Sequence, residues 1–185
     1  MTWNIPNTLT ILRILAIPLI IVLFYLPIKH SGAYSGIVFA LAGFTDWFDG
    51  YLARKLGQTS RFGEFLDPVA DKLMVAVIVI LLVEHYGNLW ITLSAMIIIG
   101  REITISALRE WMAEIGERGK VAVTYMGKVK TTVQMFALFF LLYEEPLLGV
   151  PCDKLGLLLI LVAAVLTLWS MINYLYSAVS ATASP

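Results

Sequence analysis

The chain predicts an all-α, polytopic membrane fold: six transmembrane helices behind a short N-terminal interfacial segment, in a single domain over residues 1–185. Three observations predict it. Hydrophobic residues fill 59% of the 185 positions and mean hydropathy is +0.84, more apolar surface than a soluble core of this size would hide. The apolar residues fall in blocks of helix length separated by short polar stretches. The charges inside those blocks recur at spacings of three and four, the period of a helix. No stretch is rich enough in Pro, Gly or Ser to mark a second domain, and no internal repeat is present.

Met1 to Pro6 carries Trp3 and Ile5 without a charge, which suits a segment lying at the membrane surface. No basic residue precedes the first span and no small-residue cleavage site follows it, so a removable signal peptide is not expected. Asn7 to Leu26 is the first span, closed by Pro27, with Asn7, Thr10 and Arg13 polar at its start. The second runs from Ala33 to Arg54, the third from Asp67 to Val83, the fourth from Leu89 to Arg109, the fifth from Val129 to Tyr143 and the sixth from Leu155 to Tyr176. The single cysteine, Cys152, falls in an expected loop and excludes an internal disulfide. Aromatic and Met residues of the sixth span read as packing, and His30 and His85 as interfacial residues of the loops.

Net charge is zero, yet the charges are not evenly placed. Every Lys and Arg except Lys29 and Lys154 falls on the side that holds both termini, which places that side in the cytoplasm. No nucleic-acid partner is expected. Counting at about 1.5 Å per helical residue, Asp46, Asp71 and Arg101 each lie roughly 18 to 20 Å from the far face. Ionised groups on three helices at one depth require a water-filled cavity open to the cytoplasm, because lipid would not tolerate them.

The most informative stretch runs from Asp46 to Asp71. In D-W-F-D-G-Y-L-A-R, spacings of three and seven put Asp46, Asp49 and Ala53 on one helical face, with Gly50 and Arg54 beside them. In G-E-F-L-D-P-V-A-D, spacings of four stack Gly63, Asp67 and Asp71. The polar stretch K-L-G-Q-T-S-R-F between them turns the chain back, so the two acidic faces converge. Four carboxylates held close repel one another unless a cation sits among them. All-oxygen ligation suits Mg²⁺ first and Mn²⁺ next, and two ions suit four carboxylates better than one. Gly50 and Ala53 leave a gap for a nucleotide or its diphosphate, and Arg54 offers a planar fork to phosphate oxygens. Thr59 and Ser60 stand open between capping the next helix and contacting phosphate.

A second constellation, G-R-E-I-T-I-S-A-L-R-E, lines Arg101, Glu102, Ser106 and Arg109 along the fourth span. Arg101 and Arg109 are balanced between an ion pair with Glu102 or the aspartates and a substrate phosphate. Lys128 and Lys130 stand in the same balance. Arg118 and Lys120 read as topology signals or contacts to anionic head groups.

The pattern D-x-x-D-G-x-x-A-R, eight residues, then G-x-x-x-D-x-x-x-D resembles the signature of the CDP-alcohol phosphotransferase family. The likeness covers nearly the whole chain. Through N-I-P-N-x-L-T-x-x-R, R-E-W-M-A-E and G-K-V-K-T-T-x-Q it extends to bacterial members that use glycerol 3-phosphate. It implies transfer of a phosphatidyl group from CDP-diacylglycerol to the primary hydroxyl of glycerol 3-phosphate, releasing CMP. Asp46, Asp49, Asp67 and Asp71 would hold the metal, and Asp71 would be the base, a ligand or both. Gly50, Ala53, Arg54 and Ser60, with Asn7 and Thr10, would line the CDP site. Arg101, Arg109, Lys128 and Lys130 would hold the acceptor phosphate. The resemblance also implies a homodimer, in contact with membrane lipids, in the bacterial inner membrane. The rivals are another acceptor (inositol phosphate, serine or phosphatidylglycerol) and, from another class, a cation transporter. The lack of a repeat and the placement of the carboxylates toward one face count against the transporter.

Overall fold

The computed structural model describes residues 5–56, 61–116 and 125–182, with side chains over these ranges except at 5, 6, 46–56, 61, 64, 125, 126, 181 and 182. Six helices order the described residues: α1 (Ile5–Tyr25), α2 (Ser31–Leu56), α3 (Arg61–Tyr86), α4 (Leu89–Glu114), α5 (Tyr125–Tyr143) and α6 (Cys152–Thr182). The only β pairing among them is an isolated bridge between Leu147 and Val150. The all-α expectation holds, with six helices at the six expected places.

The helices are longer than the spans read from hydropathy. Apolar residues mark where lipid lies, whereas backbone hydrogen bonding continues past that boundary into polar sequence. Thus α3 begins at Arg61, a turn and a half before Asp67, and α6 begins at Cys152, which is buried in the helix's first turn and not in a loop. Residues 1–4 of the expected interfacial segment lie outside the described residues. Ile5 and Pro6 belong to α1, where a proline in the first turn sacrifices no intrahelical bond. By length and composition α1, α4 and α6 are apolar enough to cross a membrane, and α2 contributes a shorter apolar stretch, Ser31–Thr45. Charges within α3 hold that helix below the same standard.

Packing follows a membrane logic, with oil outside as well as inside. Leu15, Leu41, Ile80, Met96, Val165 and Ile172 are exposed at positions that suit lipid, while Ile20, Phe39, Leu82, Ile98, Leu138 and Leu141 form the core. Helix α1 packs on α2 and α3, α5 on α2 and α6, and α4 on α3 and α6. Small residues set the closest approaches. A Cβ added at Gly36 would stand 3.1 Å from the Tyr143 Cα, and one at Gly156 would stand 2.9 Å from the Leu141 backbone nitrogen.

The end away from the termini is fastened by polar contacts. Tyr86 donates its hydroxyl to the Leu141 carbonyl at 2.9 Å, Tyr25 donates to Glu84 at 2.9 Å, His85 meets Glu144 at 2.5 Å, and His30 pairs with Glu145. Burial pushes the Glu144 carboxyl above its ordinary range, and the neighbouring His85 opposes that shift. His30 therefore sits in the loop before α2 and His85 in the last turn of α3, both near the far-side loops as their sequence positions suggest.

Candidate active site

On α3, Asp67 and Asp71 stand one turn apart, so their carboxylates share a face. Helix α1 packs along that face and supplies a brace for each. Thr10 donates its hydroxyl to Asp67. Arg13 holds the Asp71 Oδ1 at 2.7 Å through Nη1. Arg13 is only 2% exposed, a cost that a buried guanidinium bears when a carboxylate accepts from it. Asn7, one turn earlier on α1, is also buried.

Asp67 and Asp71 form one end of a cavity of about 330 Å³ whose wall comes from α3, α4, α5 and α6. At its other end Glu102 accepts from Arg101 Nη1 and from Lys130 Nζ, each at 2.9 Å. Arg109 donates to the Tyr174 hydroxyl at 3.4 Å. The guanidinium carbons of Arg101 and Arg109 lie 5.8 and 5.6 Å from the centre of the Tyr174 ring, within reach of its negative face. Two arginines are thus spaced by one aromatic ring and tied to a lysine through one carboxylate. Among the described residues the cavity wall carries Lys72, Arg101, Arg109 and Lys130 against Asp67, Asp71 and Glu102. The buried Arg101 Nε has no hydrogen-bond partner among the described residues. Such a group calls for an incoming anion.

The structure places the expected site residues unequally. It brings Asp67, Asp71, Arg101, Arg109 and Lys130 to one cavity, and sets Thr10 behind Asp67 as its hydrogen-bond donor. Lys128 is exposed and does not line that cavity, because it lies two residues from Lys130 and so on another face of α5. Asp46, Asp49, Gly50, Ala53 and Arg54 lie within α2, and their side chains are outside the described residues. Ser60, Thr59, Arg118 and Lys120 lie outside the described residues altogether.

Two polar wall residues, Tyr174 and Gln134, are given no function by sequence reasoning. Tyr174 belongs to the aromatics that read as packing of the sixth span. A signal was present: Thr167, Ser170 and Tyr174 follow at spacings of three and four, all buried, and form a polar stripe on an otherwise oily helix. Gln134, one turn beyond Lys130, ends the motif G-K-V-K-T-T-x-Q on the inward face of α5.

An apolar groove of about 640 Å³ runs between α2 and α5, walled by Phe39, Phe44, Met135, Phe136 and Phe139, with Gly43 leaving room at its side. It meets the polar cavity at Thr131, which lines both. A molecule with a phosphate head and an acyl tail would find a place for each part without leaving the protein.

Among the described residues, no three His, Cys, Asp or Glu side chains form a group able to hold a metal ion. Asp67 and Asp71 supply hard oxygen donors only, so the α3 carboxylates fit a hard divalent ion and not zinc.

Comparison with known proteins shows the family. The family model described as CDP-alcohol phosphatidyltransferase matches residues 3–169. A protein of Salmonella choleraesuis (strain SC-B67) named CDP-diacylglycerol–glycerol-3-phosphate 3-phosphatidyltransferase is 54% identical over 178 residues, 96% of each chain. Proteins of the same name from Shigella flexneri and Escherichia coli (strain K12) are 53% identical over the same length and coverage. A divalent metal is general in this family, and the two α3 carboxylates in the cavity fit that requirement. With nearly its whole length matched and its paired aspartates facing a cationic wall, the chain belongs to the CDP-alcohol phosphatidyltransferase family.

Proposed function

We propose that this chain transfers the phosphatidyl group of CDP-diacylglycerol to the primary hydroxyl of glycerol 3-phosphate, forming phosphatidylglycerophosphate and CMP. The observation that carries the reading is the pairing of two ends in one cavity: carboxylates of α3 at one, an Arg–Arg–Lys cluster at the other. Serine or choline as acceptor would need no second phosphate site, whereas glycerol 3-phosphate brings its own dianion. The names of the relatives point to the same acceptor.

Asp71 takes the proton of the attacking hydroxyl. The hydroxyl oxygen bonds to the phosphorus that carries diacylglycerol, and the bond from that phosphorus to the bridging oxygen breaks, leaving CMP with the electron pair. Arg13 orients Asp71 by one oxygen, and Thr10 does the same for Asp67. Arg101 and Lys130 receive the acceptor phosphate, with Arg109 held beside them by Tyr174. Asp46 and Asp49 of α2 would join Asp67 and Asp71 in holding two ions, Mg²⁺ or Mn²⁺. When bound, a divalent ion neutralises the diphosphate and lowers the proton affinity of the attacking hydroxyl. By family resemblance Gly50, Ala53, Arg54 and Ser60, with Asn7, would receive the CDP moiety, and Thr10 would serve that site through Asp67.

The α2–α5 groove suits an acyl chain of the donor, since its wall is largely aromatic and aliphatic and touches the cavity at Thr131. The enzyme works as a homodimer in the bacterial inner membrane, with both termini and the cavity on the cytoplasmic side. Support for that orientation is the bias of Lys and Arg to the side of the termini.

The test is CMP release by purified protein in detergent with CDP-diacylglycerol and Mg²⁺, with and without glycerol 3-phosphate. Release that depends on glycerol 3-phosphate and disappears in Asp71→Asn is expected. Release supported by serine or inositol phosphate in its place would overturn the acceptor assignment.

A further inference from the structure

We infer that Gln134 is the residue that receives the non-reacting C2 hydroxyl of the acceptor, and so decides which acceptors are used. The inference rests on the glycerol 3-phosphate reading of the cavity. Gln134 lines that cavity from α5, is 2% exposed, and its side-chain Oε1 is buried with no hydrogen-bond partner among the described residues. A buried amide oxygen left without a donor costs free energy unless something supplies one. The other neutral polar groups on the wall are engaged: Thr131 donates to the Gly127 carbonyl at 2.9 Å, and the Tyr174 hydroxyl accepts from Arg109. Gln134 is therefore the wall residue with neutral hydrogen-bonding capacity to spare.

Its place fits the acceptor's shape. Lys130, which would face the phosphate, is one helical turn away, about 6 Å along α5. Glycerol 3-phosphate stretched from Lys130 toward Asp71 carries its C2 hydroxyl between the two ends, along the wall that Gln134 shares with both. A hydroxyl both donates and accepts, so it satisfies the carboxamide whichever way the amide is turned. Holding C2 also fixes the primary hydroxyl in line with its target, because the phosphate alone leaves the three-carbon chain free to rotate. A site built around a substrate hydroxyl rejects the analogue that lacks it, since the protein group is then left unpaired.

The experiment uses the full chain in detergent with CDP-diacylglycerol, comparing glycerol 3-phosphate with 3-hydroxypropyl phosphate. That analogue keeps the phosphate and the primary hydroxyl and lacks only the C2 hydroxyl. Wild-type kcat/KM is expected to be about 30-fold lower with the analogue. In Gln134→Met the two acceptors converge to within about threefold, through loss with glycerol 3-phosphate alone. In Lys130→Met the wild-type preference persists while KM rises for both. Equal use of the two acceptors by the wild type overturns the proposal without recourse to any variant. An unchanged preference in Gln134→Met overturns it as well. If Lys130→Met leaves KM unchanged for both acceptors, the phosphate reading fails, and the proposal fails with it.

Discussion

At the α3 end of the cavity, two carboxylates come from one turn of one helix and are braced by Thr10 and Arg13 of α1. At the other end, Arg101, Arg109, Lys130 and Tyr174 come from α4, α5 and α6 and brace one another, with Glu102 as the shared acceptor. The first end is local in sequence, and its geometry follows from helical pitch. The second is a network of buried charge, and each member holds its place because the others do. The acidic end should therefore lose function one residue at a time, and the cationic end should lose it cooperatively.

The largest effect should come at the acidic end. Removing divalent metal with chelator abolishes CMP release and added Mg²⁺ restores it, while Asp71→Asn lowers kcat by about 10²- to 10⁴-fold and leaves the KM for glycerol 3-phosphate near its wild-type value. A rise in that KM as large as the fall in kcat would break the division between the ends. Next, Lys130→Met raises the KM for glycerol 3-phosphate by about 10- to 100-fold with a smaller change in kcat, as read in steady-state kinetics.

Cooperativity sharpens the contrast. In a double-mutant cycle on kcat/KM, Lys130→Met and Glu102→Gln couple by about 1–2 kcal/mol, whereas Lys130→Met and Asp71→Asn add to within about 0.5 kcal/mol. Equal coupling in both cycles would mean that the cavity behaves as one network. The smallest effect falls on the aromatic spacer. Tyr174→Leu raises the KM for glycerol 3-phosphate about tenfold through loss of the ring beneath two guanidinium groups, and Tyr174→Phe, which keeps the ring, raises it about threefold. A larger loss in Tyr174→Phe would assign the hydroxyl, not the ring face, the greater part.

The same contrast explains what could be read from the chain. Asp67 and Asp71 were legible as neighbours because four residues make a little more than one helical turn, and the brace from Arg13 was not, because it spans 58 residues of sequence. Of the two partners expected for Arg101 the structure shows the ion pair: Nη1 is engaged with Glu102, while the buried Nε is without a partner among the described residues. Lys128 and Lys130 could not be separated by composition, since both are lysines in one short motif. The turn of α5 separates them, one exposed and one 1% exposed.

What the sequence determined by itself is whatever the helical period and the cost of charge in lipid can enforce over a short stretch. That covers the six helices, their apolar lengths, the faces of the aspartates and the family signature between Asp46 and Asp71. Only the tertiary structure decided how Arg109 meets Tyr174 across 65 residues, how Glu102 joins Lys130 across 28, and that Gln134 on the cavity wall carries a buried Oε1 with no partner among the described residues. Those contacts depend on which helices lie side by side, and that choice is made by packing summed over the whole molecule and not by any local spacing.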